Sequence, residues 1–218
     1  MIVLFKRIKQ SGFQIKLSGK IIYTDPFKLS GGFEKADLIL VSHSHFDHYH
    51  LPSIKLLIKD DTNIICPASC KKAFKLWKST TTLKPGESAT FKGIKIQTVH
   101  AYNRNKFFHR KRKNWVGYII SDENGDTEPL NIYFAGDTDV IPEMANLPEI
   151  HYAFLPIGGK FTMNSVEALE AMKMIKPLNV IPMHELKASL DDFAESVKKN
   201  ITDFNVNVIK LKPGQSYQ

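Results

Sequence analysis

The sequence predicts an α+β fold in which strands dominate the first half and helices are interleaved in both halves. Three observations predict it. Phe13, Ile15 and Leu17 alternate with Gln14, Lys16 and Ser18, the period of a half-buried strand. Leu38-Ile39-Leu40-Val41 is a continuous apolar run, as expected of a strand buried on both faces. Two later stretches carry helical stripes with clear ends. In one, Asn164 caps with Glu167 three residues on, Leu169, Met172 and Ile175 share a face, and Pro177 ends it. In the other, Ser189 caps with Asp192 three residues on, and Leu190, Phe193, Val197 and Ile201 form the stripe.

The remaining elements follow in chain order. Gly19-Lys20 turns the chain back into Ile21-Ile22-Tyr23, a hairpin that Asp25-Pro26 breaks. The segment SHSHFDHYH, residues 42–50, follows the apolar run. Leu51, Ile54, Leu57 and Ile58 then share one face of a helix of about eight residues. Asn63 to Cys66 reads as a short strand, Ala68 to Trp77 as a helix, and Lys84-Pro85-Gly86 as a turn. Strands near 88–91 and 94–99 flank the turn Lys92-Gly93. A basic loop spans 101–114. Trp115 to Ser121 and Leu130 to Phe134 are strands joined through Glu123-Asn124-Gly125, and Tyr152 to Leu155 and Val180 to Met183 are two more. LKPGES at 83–88 is echoed by LKPGQS at 211–216, each after a β-α-β stretch. With no Gly-, Ser- or Pro-rich linker, residues 1–218 read as one domain.

Composition bounds the function. The 218 residues are 43% apolar and 24% charged, which excludes a disordered chain. No run approaches the roughly 18 apolar residues of a membrane span, and the first residues lack the charge order of a signal peptide. A cytoplasmic protein without a membrane partner is expected. The net charge of +8 favours anionic partners, and its densest cluster is Arg104, Lys106, Arg110, Lys111, Arg112 and Lys113. Cys66 and Cys70 lack zinc-knuckle spacing and are expected as reduced, partly buried thiols.

The histidine-rich segment carries the chemistry. Residues two apart in extended backbone project to one side, so His43 and His45 can reach one metal ion, and Asp47 and His48 a second. Imidazole and carboxylate together suit zinc, iron or manganese. Further ligands are expected at other strand ends, where loops converge. His100 ends IKIQTVH, Asp137 ends NIYFAGD after a permissive Gly136, and His184 ends NVIPMH. His50 fits no ligand position, and His151 reads as structural.

HSHFDH matches the His-x-His-x-Asp-His signature of the metallo-β-lactamase superfamily, and the resemblance runs from TDPF at 24–27 to IPMH at 181–184. FAGDTD and LPIGGKFTM look most like its compact branch of metal-dependent hydrolases related to ascorbate-phosphate lactonase. The resemblance implies a four-layer αβ/βα sandwich of two mixed sheets flanked by helices. It also implies two divalent transition-metal ions, Zn2+ first, with Mn2+ or Fe2+ as alternatives. His43, His45 and His100 would hold one, Asp47, His48 and His184 the other, and Asp137 would bridge them. Two departures stand out: KQSGF replaces the Gly-His found near this point in relatives, and Glu185 follows His184 where relatives often carry an aromatic residue or asparagine.

The expected enzyme is a binuclear metal-dependent hydrolase attacking with a metal-bridging hydroxide. Asp47 and Asp137 are the candidate catalytic carboxylates. The substrate is expected to be an anionic ester, a phosphodiester or lactone, whether a small molecule or a nucleic acid. Arg104, His109, Arg110, Arg112 and Lys160 are candidate substrate-binding residues, and Phe107, Phe108 and Trp115 could stack on a base or sugar. A nuclease and a non-catalytic metal-bearing binding protein are the alternatives, with β-lactam hydrolysis only as a promiscuous activity.

Overall fold

A computed structural model describes residues 3–71, 77, 79–122 and 129–218. Two seven-stranded sheets face each other. The first is built from β1 (Leu4–Arg7), β2 (Phe13–Leu17), β3 (Lys20–Thr24), β4 (Leu38–Leu40), β5 (Asn63–Cys66) and β6 (Thr80–Thr82), with β14 (Ser216–Tyr217) on its edge beside β1. The second runs in space from β13 (Asn207–Val208) through β12 (Asn179–Met183), β11 (Tyr152–Pro156), β10 (Leu130–Phe134), β9 (Val116–Asp122) and β8 (Ile94–His100) to β7 (Ser88–Phe91). Helices α1 (Leu51–Leu57), α2 (Ser165–Ile175) and α3 (Leu190–Asn200) complete the layers. The helix expected over Ala68–Trp77 and the Glu123-Asn124-Gly125 turn fall largely or wholly outside the described residues.

Alternation explains the layering. Ile22, Leu38, Leu40 and Ile65 point into the space between the sheets, where they join Ile96, Val116, Tyr118 and Phe154. Their neighbours Tyr23, Ile39, Val41, Ile64 and Cys66 point the other way and pack with Ile54 and Leu57 of α1. The apolar run at 38–41 is therefore continuous because both faces of its strand are covered. Aromatic rings lock the sheets together, with Phe154 edge-on to Phe13 at 4.7 Å and to Phe5 at 5.2 Å.

The two copies of LKPG have matching roles. The first carries the chain from β6 in one sheet to β7 in the other, and the second leads from the second sheet back to β14 in the first. The capping box of Asn164 and Glu167 is formed, and Ser189 accepts from the Asp192 backbone N–H. Both cysteines are buried and free. No helix among the described residues is long and apolar enough to cross a membrane.

Each sheet contains a block of parallel strands, β3 to β6 and β10 to β13. Asp25, the 42–50 segment, Asp137 and His184 all lie just past the C-terminal ends of strands in these blocks. One end of the sandwich thus collects them.

Truncating the ring that joins the sheets should be costly. Phe154→Ala is expected to destabilise the protein by about 3–5 kcal/mol, read as a shift of the denaturant midpoint at unchanged m-value.

Candidate metal centre

A single carboxylate oxygen lies at the middle of the cluster. Oδ2 of Asp137 is 3.3 Å from Nε2 of His109, 3.3 Å from Nε2 of His184, 3.4 Å from Nε2 of His48 and 3.9 Å from Nε2 of His43. His45 Nδ1 lies 3.1 Å from His43 Nε2. Asp47 Oδ2 is 3.7 Å from His48 Nε2 and 3.9 Å from His184 Nε2. Two sets of potential ligand atoms result, His43 with His45 and His109, and Asp47 with His48 and His184, each within 4.8 Å of one another. A third set, Asp25, His43 and His48, overlaps both.

The structure does not bring His100 to this cluster. His100 pairs with Val116 as the last residue of β8 and lines a shallow cleft with Gly86, Glu143 and Pro148. The place beside His43 and His45 is taken by His109, whose ring centres lie 5.0 and 4.9 Å from theirs. Strand alternation chose a residue that the ladder holds in place, whereas the loop after it has no period to read. His109 was expected to face substrate and is instead buried among the candidate ligands.

The outer contacts of the imidazoles set their tautomers. His109 donates from Nδ1 to Asn103 Oδ1 at 2.9 Å, and its backbone N–H donates to the same oxygen at 3.1 Å. Asn103 Nδ2 donates to Asp139 Oδ1 at 3.0 Å, and Asp139 also accepts from the Arg104 backbone and from Lys106. Two residues after Asp137, Asp139 thereby anchors the loop that delivers His109. His48 donates from Nδ1 to Asp25 Oδ2 at 2.7 Å, and Ser42 donates to Asp25 from both its hydroxyl and its backbone N–H. The Ser42 hydroxyl is in turn 2.9 Å from His43 Nδ1. These partners turn Nε2 of His43, His48 and His109 toward the cluster. Neither Asp25, Asn103 nor Asp139 was expected from sequence, where each looks like an ordinary turn residue.

The two departures from the family pattern also meet here. Gln10, in KQSGF, donates to Asp47 Oδ2 and lies 3.2 Å from His184 Nε2. Glu185 pairs with the fully buried Arg7, which also donates to the carbonyls of Gln10 and Leu211. Gln10, Asp25 and His184 all adopt positive φ, at 57°, 38° and 50°. Such backbone costs on the order of 1–3 kcal/mol per residue and persists where surrounding contacts over-determine it. His50 is the N-cap of α1, bonded to Ser53, and His151 accepts from the Asn131 backbone.

Burial and charge divide the imidazoles into two kinds. Burial alone would raise the Asp137 carboxyl, but His48 and His184 outweigh it and hold Asp137 well below the usual carboxylate range. Burial opposes charging of His48 and His184, yet the adjacent Asp137 raises both, with Asp25 adding to the effect on His48. Burial lowers His43 and His45, assisted by the positive fields of His48 and His109 respectively. The donor set fits divalent metal ions: Nε2 of His48 and His109 and Oδ1 of Asp137 are buried without hydrogen-bond partners. The spacings around Asp137 exceed good N–H···O distances of about 2.7–3.2 Å.

The remaining predicted substrate residues are not among the grouped ligand atoms. Arg104, Arg110, Arg112 and Lys160 are exposed. Arg110 sits over Phe107 at 5.3 Å and Lys160 over Phe161 at 5.2 Å. Trp115 packs on His43 and His45 at 4.8 and 4.7 Å, and its Nε1 donates to Ser69.

Residues 6–184 match the beta-lactamase superfamily domain. A UPF0173 metal-dependent hydrolase of Thermococcus kodakarensis is 31% identical over 99% of both chains. A crystal structure from Parabacteroides distasonis superposes with TM-score 0.83 at 28% identity, covering 96% of this chain and 94% of that one. A metallo hydrolase from the archaeon Ignicoccus hospitalis shares the fold, with TM-score 0.79 at 23% identity over 99% and 98% of the two chains.

Gly158 follows β11 with no room for a side chain: an added Cβ would overlap the carbonyl oxygen of His184. Gly158→Ala is expected to cost about 1–3 kcal/mol in overpacking, measured by denaturant unfolding.

Proposed function

The chain belongs to the beta-lactamase superfamily and is a metal-dependent hydrolase; from that premise we propose that it cleaves an anionic ester, a phosphodiester ahead of a lactone, using two divalent transition-metal ions. Zinc is the leading ion, with manganese and iron as alternatives. The observation that supports this reading is the convergence of four imidazole nitrogens on one oxygen of Asp137. We assign His43, His45 and His109 to one ion, Asp47, His48 and His184 to the other, and Asp137 to both. When bound, such a pair supplies water of lowered pKa and polarises the attacked oxygen.

The chain's own groups supply the rest. Trp115 walls the His43–His45–His109 side and keeps water from it. Asp47 is the carboxylate of the cluster with solvent access, at 17% side-chain exposure, and would take a proton from the attacking water and pass it to the leaving group. Gln10 holds the Asp47 oxygen in orientation. On the 101–114 loop, Lys106 and Lys111 are committed to Asp139 and Glu143. Arg104, Arg110 and Arg112 are left to draw an anion toward the centre.

Metal analysis of the purified protein together with hydrolysis of bis-p-nitrophenyl phosphate tests this reading. Asp137→Ala and His109→Ala should lower kcat/KM at least about 1,000-fold, a loss of roughly 4 kcal/mol of transition-state stabilisation, while His100→Ala retains metal and activity. Turnover that survives in Asp137→Ala would sink the proposal.

Metal binding should also release protons. The Asp137 carboxylate raises His48 and His184, which favours their protonated forms, but only the deprotonated ring can bind an ion. Zinc titrations in buffers of different ionisation enthalpy should therefore show net proton release, with affinity falling as pH drops. A buffer-independent enthalpy would contradict the assignment of these two ligands.

A further inference from the structure

Basic surface leaves the metal centre in two directions, and the sequence pointed to only one. The 103–114 loop rises from the half of the cluster that contains His109. From the other half, a cleft of about 280 Å³ runs past His184 and Gln10 to Lys9 and Pro213. Lys9 and Pro213 also line a second cleft of about 450 Å³, whose walls include Lys6, Lys28 and Gly31. The two clefts thus adjoin at Lys9 and Pro213, and together they line a path from His184 toward three lysines.

Those lysines are not spent on the protein. Among the described residues, neither Lys6, Lys9 nor Lys28 lies within ion-pair distance of a carboxylate. Glu185, the acidic residue on the groove wall, is neutralised by Arg7. Lys6 and Lys28 instead lie over the rings of Phe33 and Phe27, at 4.6 and 5.2 Å. Phe27 in turn meets Phe46, between the ligands His45 and Asp47, at 6.0 Å. Phe46 is 76% exposed, and Phe107 on the opposite loop is 82% exposed. Large aromatic rings are seldom left so open. Cationic grooves combined with exposed rings are the means by which proteins hold single strands, phosphates by charge and bases by stacking.

We infer that the Lys6–Lys9–Lys28 groove is a binding site for the phosphates of a single-stranded nucleic acid, which crosses the metal centre with its other end on the 103–114 loop. This rests on the hydrolase reading above and names its substrate class. On this reading the groove acts on long ligands, and a small diester held at the metal centre does not depend on it.

The test compares two substrates and two variants of the metal-containing protein. Binding is followed by fluorescence anisotropy of a labelled single-stranded phosphorothioate 12-mer, and catalysis with bis-p-nitrophenyl phosphate. Lys6→Gln/Lys9→Gln/Lys28→Gln should weaken 12-mer binding at least about tenfold at 0.1 M salt. It should also flatten the slope of log Kd against log salt by about 2, near 0.7 per lost phosphate contact on a single strand. The double variant Lys9→Gln/Lys28→Gln changes exposed side chains alone and should show an intermediate loss. Hydrolysis of bis-p-nitrophenyl phosphate should be unchanged in both. Unaltered 12-mer binding in the triple variant overturns the groove, as does a loss confined to anionic phosphatidylserine vesicles, which would make it a membrane contact. Absence of bis-p-nitrophenyl phosphate turnover in the wild-type protein, with lysine-dependent 12-mer binding intact, would overturn the hydrolase reading while supporting the groove.

Discussion

Four imidazoles around one buried carboxylate oxygen cannot all be charged, and they cannot all be neutral at low energetic cost either. The chain resolves this by giving each ring a different second partner. Asp25 favours a proton on His48, whereas the Ser42 hydroxyl and the Asn103 amide give His43 and His109 neutral partners. Like charges within 4 Å repel by several kcal/mol in a poorly solvated site, so these partners decide whether the cluster exists before any ion arrives. Much of the surrounding architecture serves the same end. Two parallel blocks stop at the same level, and the connections beyond them supply the ligands and their partners.

This dependence explains which parts were legible in the sequence. Strand ends were, because apolar alternation shows where a strand stops, and a histidine or aspartate just beyond it stands out. His43, His45, Asp47, His48, Asp137 and His184 were all found that way, and the structure gathers them. His109 was not, since it is carried by a loop whose course depends on hydrogen bonds to Asn103 and Asp139. Those bonds span as many as 36 residues of sequence and leave no period behind. Asp25 was hidden for a related reason. An aspartate before proline reads as a turn former, and its buried role depends on Ser42 and His48 reaching it from the segment after another strand.

The two departures from the family pattern take on meaning together. Gln10 lies in the stretch that lacks the expected Gly-His, and Glu185 follows the candidate ligand His184. Arg7 touches both regions, and it is the largest charged side chain wholly removed from solvent. A buried arginine is tolerated when most of its donors are matched; here the two terminal nitrogens are met by the carbonyls of Gln10 and Leu211 and by Glu185, while Nε has no partner. The first strand, the last segment and the Asp47–His184 side of the centre are therefore tied through one guanidinium.

His109 sits on the same 14-residue stretch as the exposed arginines, between Phe108 and Arg110. The loop whose arginines are proposed to meet the substrate is also, through His109, a wall of the candidate metal site. Elsewhere in proteins such roles fall on separate segments, so that surface loops can drift in sequence while the chemistry stays intact. Here the freedom to evolve new specificity is confined to residues on either side of an immovable anchor. Lengthening or grafting the loop would have to preserve the path from Asn103 to His109, so related chains should diversify at Arg104, Phe107 and Arg112 rather than in loop length.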